Sequence, residues 1–261
     1  MARRGLLDFL LPKSGGIAPD ARRRGLPDEL VVECAGVPVQ VALQVRPNAR
    51  RMILRLDRIT GAPTLTLPRG VGRAHAERFL SEHAGWLENR LAARPAPVVF
   101  AAGSIIPVRG EPHLIHHHAT FRGVTRIEAS PDGPVIIVHG DPAHVGGRVE
   151  RFLRTEATLD LTAAARRHAA AAGVTLGRIT IKDTRSRWGS CSARGDLAFS
   201  WRLIFAPPFV LDYLAAHEVA HRLEMNHSTR YWRHVAQLFP RFREAEAWLN
   251  RNGSGLHLIG R

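Results

Sequence analysis

The chain has 261 residues, 45% hydrophobic and 23% charged, enough to bury a sizeable core in one large domain or two small ones. No apolar run approaches the roughly 18 residues of a membrane span. The short apolar run behind Arg3 and Arg4 is broken by Asp8, so neither an anchor nor a signal peptide is expected. The formal net charge of +14 rests almost wholly on arginine, with Lys13 and Lys182 the only lysines. Such a basic surface makes nucleic-acid contact a candidate property, although the arginines lack the aromatic interleaving of a stacking platform.

Residues 1–27 mix Pro, Gly and Arg without a sustained period and read as a flexible basic arm. Residues 28–140 read as a strand-rich region with one long helix. Alternating or β-branched runs predict strands at 30–32, 37–45, 52–56 and 64–67, with a basic turn at 46–51. Residues 70–94 predict one helix, because Phe79, Leu80, His83, Trp86, Leu87 and Leu91 form a stripe closed by Pro95 and Pro97. A strand meander is expected at 104–108, 112–116, 121–127 and 135–139. Within it stands His116-His117-His118. Neighbouring strand residues point to opposite faces, and no acidic or Cys partner lies beside the run, so a structural role is preferred to a metal tract.

Residues 141–261 read as the core domain. A second long helix over 143–172 buries Val149, Phe152, Leu153, Leu159 and Leu161 and stops at Gly173. Strands at 178–182 and 197–205 flank a polar turn at 183–192, and Pro207-Pro208 starts the next helix. The cysteines, Cys34 and Cys191, fit no disulfide framework and no Cys-x-x-Cys metal site, which points to a reducing, cytoplasmic setting.

The helix expected over 209–225 carries His217-Glu218-Val219-Ala220-His221. Positions i and i+4 share a helix face, so both imidazoles can ligate one ion. Glu218, turned by about 100°, stands at the flank of such an ion, where a base for water belongs. On the wheel Leu211, Ala215, Ala216, Val219, Ala220 and Leu223 oppose His217, Glu218 and His221, which predicts a core-facing back and a polar front. Zinc requires a third protein ligand and an open position. The candidates are His227, the remote Glu244 or Glu246, and His234. His227 is preferred because imidazole suits zinc and Asn226 can turn the chain through the left-handed region. The three-histidine spacing also matches metzincins, but Glu224 stands where they carry a glycine and no methionine follows His227. In the preceding turn, Arg187 is a candidate to stabilise an oxyanion and Trp188 to line the cleft. Cys191 either packs the turn or approaches the metal.

Several ordered blocks carry a resemblance over about 178–239. They are Arg185-Ser186-Arg187-Trp188-Gly189-Ser190-Cys191, Ser200-Trp201-Arg202-Leu203-Ile204, Asp212-Tyr213-Leu214-Ala215-Ala216 leading into the motif, Glu224-Met225-Asn226-His227-Ser228, and Tyr231-Trp232. Together they resemble the YgjP-like group of SprT-type zinc metallopeptidases. The N-terminal half resembles it more loosely, through the basic turn near Arg46 and His83-Ala84-Gly85-Trp86. The resemblance implies an α+β fold with a zincin-like core, one zinc ion on His217, His221 and His227, Glu218 as general base, and a protein or peptide substrate. The sequence departs at Tyr231, where phenylalanine is common, and at Ser200, where asparagine is frequent. Two other readings stay open at this point: a basic nucleic-acid-associated protein with a structural or vestigial metal site, and a metal-dependent hydrolase of a non-peptide bond.

Overall fold

A computed structural model describes residues 26–57, 60–93, 96–120 and 122–260. The expected basic arm, apart from its last two residues, lies outside them. The chain is mixed α+β, and its contacts divide it after Ala96 into two compact units.

The smaller unit contains β1 (Glu29–Cys34), β2 (Val37–Val45), β3 (Ile53–Leu56), β4 (Pro63–Leu67), α1 (Arg73–Glu82) and α2 (Ala84–Ala92). Its sheet runs β1-β2-β4-β3. Strand β1 alternates strictly, burying Leu30, Val32 and Cys34 and exposing Glu29, Val31 and Glu33, the period of a half-covered sheet. Ala35 and Gly36, at φ 49° and 76°, make the two-residue left-handed turn whose twist suits a tight hairpin. Leu65, Leu67, Ala76, Leu80 and Leu87 complete this core. The single helix expected over 70–94 is in fact two. His83 leaves the helical region at φ −107°, ψ 8°, its Nδ1 lies 2.8 Å from the Phe79 carbonyl, and its ring stacks on Phe79. The apolar stripe continues through this break, which is why periodicity alone does not reveal it.

The larger unit contains β5 (Ile105–Val108), β6 (Glu111–His118), β7 (Arg126–Glu128), β8 (Val135–His139), α3 (Val145–Ala172), β9 (Ile179–Lys182), β10 (Gly189–Cys191), β11 (Leu197–Ser200), α4 (Pro208–Ala220), α5 (Thr229–Leu238) and α6 (Phe242–Leu256). One sheet runs β5-β6-β8-β7 and the other β10-β11-β9. The meander, grouped by the sequence reading with the N-terminal region, shares a core with α3: Ile106, Val108, Ile115, Ile136 and Val138 cluster with Val145, Val149 and Leu153. The strand expected at 121–127 is confined to Arg126–Glu128. In the histidine run, His116 and His118 stack on one face at 4.7 Å, while His117 Nε2 meets the Gly140 carbonyl at 2.6 Å.

Helix α3 has 28 residues, a span of about 42 Å. Val145, Val149, Leu153, Ala157, Leu161, Ala165 and Ala169 form its buried stripe, and Gly173 at φ 66° ends it. Leu159, expected inside, falls off that stripe and is 60% exposed. The β5–β6 hairpin is tied to α3 through Arg109, a non-glycine residue at φ 53°, whose guanidinium pairs with Glu156 and Asp160.

Helix α4 is fastened to α3 through Asp212. The buried His168 donates Nε2–H to Asp212 Oδ1 at 2.7 Å, and Arg167 adds a second bond. Burial by itself would raise the Asp212 carboxyl, but the His168 bond and charge and the Arg167 charge outweigh it and hold it below its ordinary value. A carboxyl depressed in the fold contributes stability above its unfolded pKa, roughly 4, and loses it as pH falls through the folded value. Melting temperature should therefore fall between pH 5 and pH 3, and less steeply in Asp212→Asn. Parallel melting curves over that range test this.

Candidate metal centre

The local sequence sets up α4 simply. Pro208 occupies its first turn, where a missing N–H costs nothing, and an apolar run with small residues follows. The expected polar front is not open. Every residue from Tyr213 to Ala220 is buried, His217 and Glu218 included, because α5, α6 and β10 pack around the helix. A helical wheel distinguishes two faces but carries no information on what covers the second.

The helix ends at Ala220, and His221 caps it in a right-handed conformation. The chain then reverses through the bonds Arg222 N–H to Val219 O, Leu223 N–H to Ala220 O and Glu224 N–H to Ala220 O. The expected left-handed Asn226 is not found: among the described residues only Ala35 and Arg109 are non-glycines at positive φ. Instead Asn226 Oδ1 accepts from Ser228 N–H, and Ser228 Oγ accepts from Tyr231 N–H to start α5. These two caps hold the segment that carries His227.

His217, His221 and His227 each offer a ring nitrogen within 4.8 Å of the others, the one such group of three among the described residues. The Nε2 atoms of His217 and His227 stand 3.4 Å apart. Two nitrogens bound tetrahedrally at about 2.0–2.1 Å from one zinc ion lie about 3.3 Å apart, so this pair has the spacing of zinc ligands and the set of three has the donor type. His221 Nδ1 faces the Glu224 carbonyl at 3.3 Å and His217 Nδ1 faces the Tyr213 hydroxyl at 3.4 Å. The Glu224 carbonyl can only accept, so it favours the His221 tautomer that carries its proton on Nδ1 and leaves Nε2 free as a donor. Burial, then the neighbouring imidazoles, lowers the pKa of His217, and burial followed by His227 lowers that of His221, so both stay neutral. Tyr231 stacks on His221 at 4.6 Å and donates its hydroxyl to the His217 carbonyl at 3.0 Å, which commits that hydroxyl to the helix end.

Glu218 is 4% exposed. Burial pushes its carboxyl up to about 8, with the Arg187 charge acting the other way. Arg187 is exposed, and Trp188 is stacked on His257 at 4.7 Å rather than standing free in the turn. Burial, then Glu218, pushes the Cys191 thiol up to about 11, so it is protonated at neutral pH. Of the other ligand candidates, Glu244 is exposed and paired with Arg241, and neither glutamate nor His234 joins the imidazole group. The sequence reading did not single out three groups that lie against these side chains: Tyr213, the Glu224 carbonyl and Gly189. Tyr213 is visible in retrospect as the residue one turn before His217, whereas the Glu224 carbonyl and Gly189 carry no signal in the sequence.

The family model for the YgjP-like metallopeptidase domain matches residues 50–252, and the chain belongs to that family. It is a metallopeptidase by that membership. The crystal structure of the metallopeptidase zymogen of Pyrococcus abyssi abylysin is similar at 18% identity over 35% of this chain and 93% of that one, with a TM-score of 0.32. No curated protein matches the chain. Among the described residues no helix is long and apolar enough to cross a membrane.

Proposed function

We propose that the chain is a zinc-dependent peptidase with a zincin-like core, in which His217, His221 and His227 hold one ion and Glu218 is the general base. The observation that carries this reading is the meeting of three imidazoles within 4.8 Å of one another, with the buried carboxyl of Glu218 next to the first of them in the helix. Zinc bound there supplies Lewis acidity, acidifying water and polarising a carbonyl. Glu218 would be favoured in its ionised form by a divalent ion on the three imidazoles, against the burial that raises it. Glu218 takes the proton of the attacking water and then delivers it to the leaving amine. Arg187 acts on the same carboxylate electrostatically, and it is the proposed cationic aid to the developing oxyanion.

Strand β10 supports a mode of substrate binding. It is an edge strand, and the bonds Ser200 N–H to Trp188 O and Ser192 N–H to Asp196 O show that the even-numbered residues turn their main-chain groups toward β11. The main-chain groups of Gly189 and Cys191 then face the open edge, where an extended peptide can add as a strand.

The test is a metal analysis. Purified wild type should hold one equivalent of zinc, and His227→Ala should lose it or bind it at least tenfold more weakly. Full retention of the ion by His227→Ala would remove this residue from the ligand set.

A further inference from the structure

Strand β10 passes so close to Glu218 that a side chain at Gly189 would have to push the carboxylate aside. A Cβ built on Gly189 would stand 2.7 Å from Glu218 Cγ and 2.8 Å from Cδ, and closer still to Oε1. Gly189 is not at a positive φ, so the glycine is required for space and not for backbone conformation.

The strand cannot easily retreat. Gly189 is in register with Phe199, and Ser200 N–H bonds the Trp188 carbonyl at 2.9 Å. Trp188 is in turn held from the C-terminal side, stacked on His257 and set against Gly253 of α6, where a Cβ would lie 3.2 Å from its ring. The Glu218 side chain is the softer partner, since its outer torsions can rotate.

We propose that Gly189 is a positioning residue for the reaction: the space left by its missing side chain seats the Glu218 carboxylate and fixes the direction in which that carboxylate faces the imidazole group. The inference rests on the reading of Glu218 as the base. A backbone wall is well suited to this task, because a strand bonded to β11 and anchored through Trp188 has no rotamer to change when substrate arrives.

The experiment pairs crystal structures with kinetics on Gly189→Ala. The protein should fold with unchanged zinc content, and its structure should show the Glu218 carboxylate displaced by about 1 Å with the three imidazoles in place. A misplacement of that size costs about 10²-fold in rate, and it should fall on kcat for casein cleavage with KM little changed. Adding Gly189→Ala to Glu218→Gln should cost nothing more, since a base already removed cannot be misplaced. An unmoved carboxylate in the Gly189→Ala crystal, or an undiminished kcat beside an inactive Glu218→Gln, overturns the inference. A fully active Glu218→Gln overturns the base reading instead, and the crystallographic displacement still decides whether Gly189 seats the side chain.

Discussion

Glu218→Gln is expected to lower kcat by about 10²–10⁴-fold, the usual worth of a positioned general base, with zinc content unchanged. Glutamine keeps the size of the side chain and fills the space beside Gly189, so the imidazole group is undisturbed. It cannot accept the proton of the attacking water. The variant should be no less stable than wild type, because Glu218 is buried and the neutral amide avoids burying a charge. Casein hydrolysis, metal analysis and thermal melting on the same preparation separate these effects. Full turnover by the glutamine variant removes Glu218 from the mechanism.

The largest expected effect on stability lies at Arg202. Its buried guanidinium is held by both carboxylate oxygens of Asp183, at 2.7 and 3.1 Å, and it donates to the Ile259 carbonyl at 2.6 Å and the Leu256 carbonyl at 3.4 Å. It thereby ties the end of β9 to the end of α6, the helix that also supports Trp188. Arg202→Met keeps the length of the side chain and removes the charge and all the donors. Breaking a fully buried pair costs about 3–5 kcal/mol. Asp183 keeps 37% of its side chain in water, and Arg154 lies 3.8 Å away as a second cation, so about 2–3 kcal/mol is expected. For a unit of this size that is a fall of roughly 5–10 °C in melting temperature, readable by calorimetry. A change below 1 °C would show that the network does not hold the fold.

The parts of this molecule legible in the sequence are those that depend on near neighbours. His217 and His221 meet because of the helical repeat, β1 buries alternate residues because of the pleat, and Gly173 ends α3 because it tolerates the left-handed region. Where the reading failed, a local rule met a competing interaction. The helix at 70–94 breaks because His83 turns onto Phe79. Asn226 could adopt the left-handed conformation, but its side chain caps Ser228 instead. Residues 201–205 continue the apolar pattern of β11 yet coil into a tight helical turn, with Trp201 and Arg202 both buried.

By itself, then, the sequence determined the spacing of the candidate ligands, the family and most element positions, all set by interactions within a few residues. Only the tertiary structure decided that α4 is buried from Tyr213 to Ala220, that Arg202 reaches the Leu256 and Ile259 carbonyls, and that Gly189 lies against Glu218. Those facts depend on contacts between segments far apart in the chain. Such contacts are fixed by packing volume and by the matching of buried polar groups, and neither leaves a period or a spacing to read.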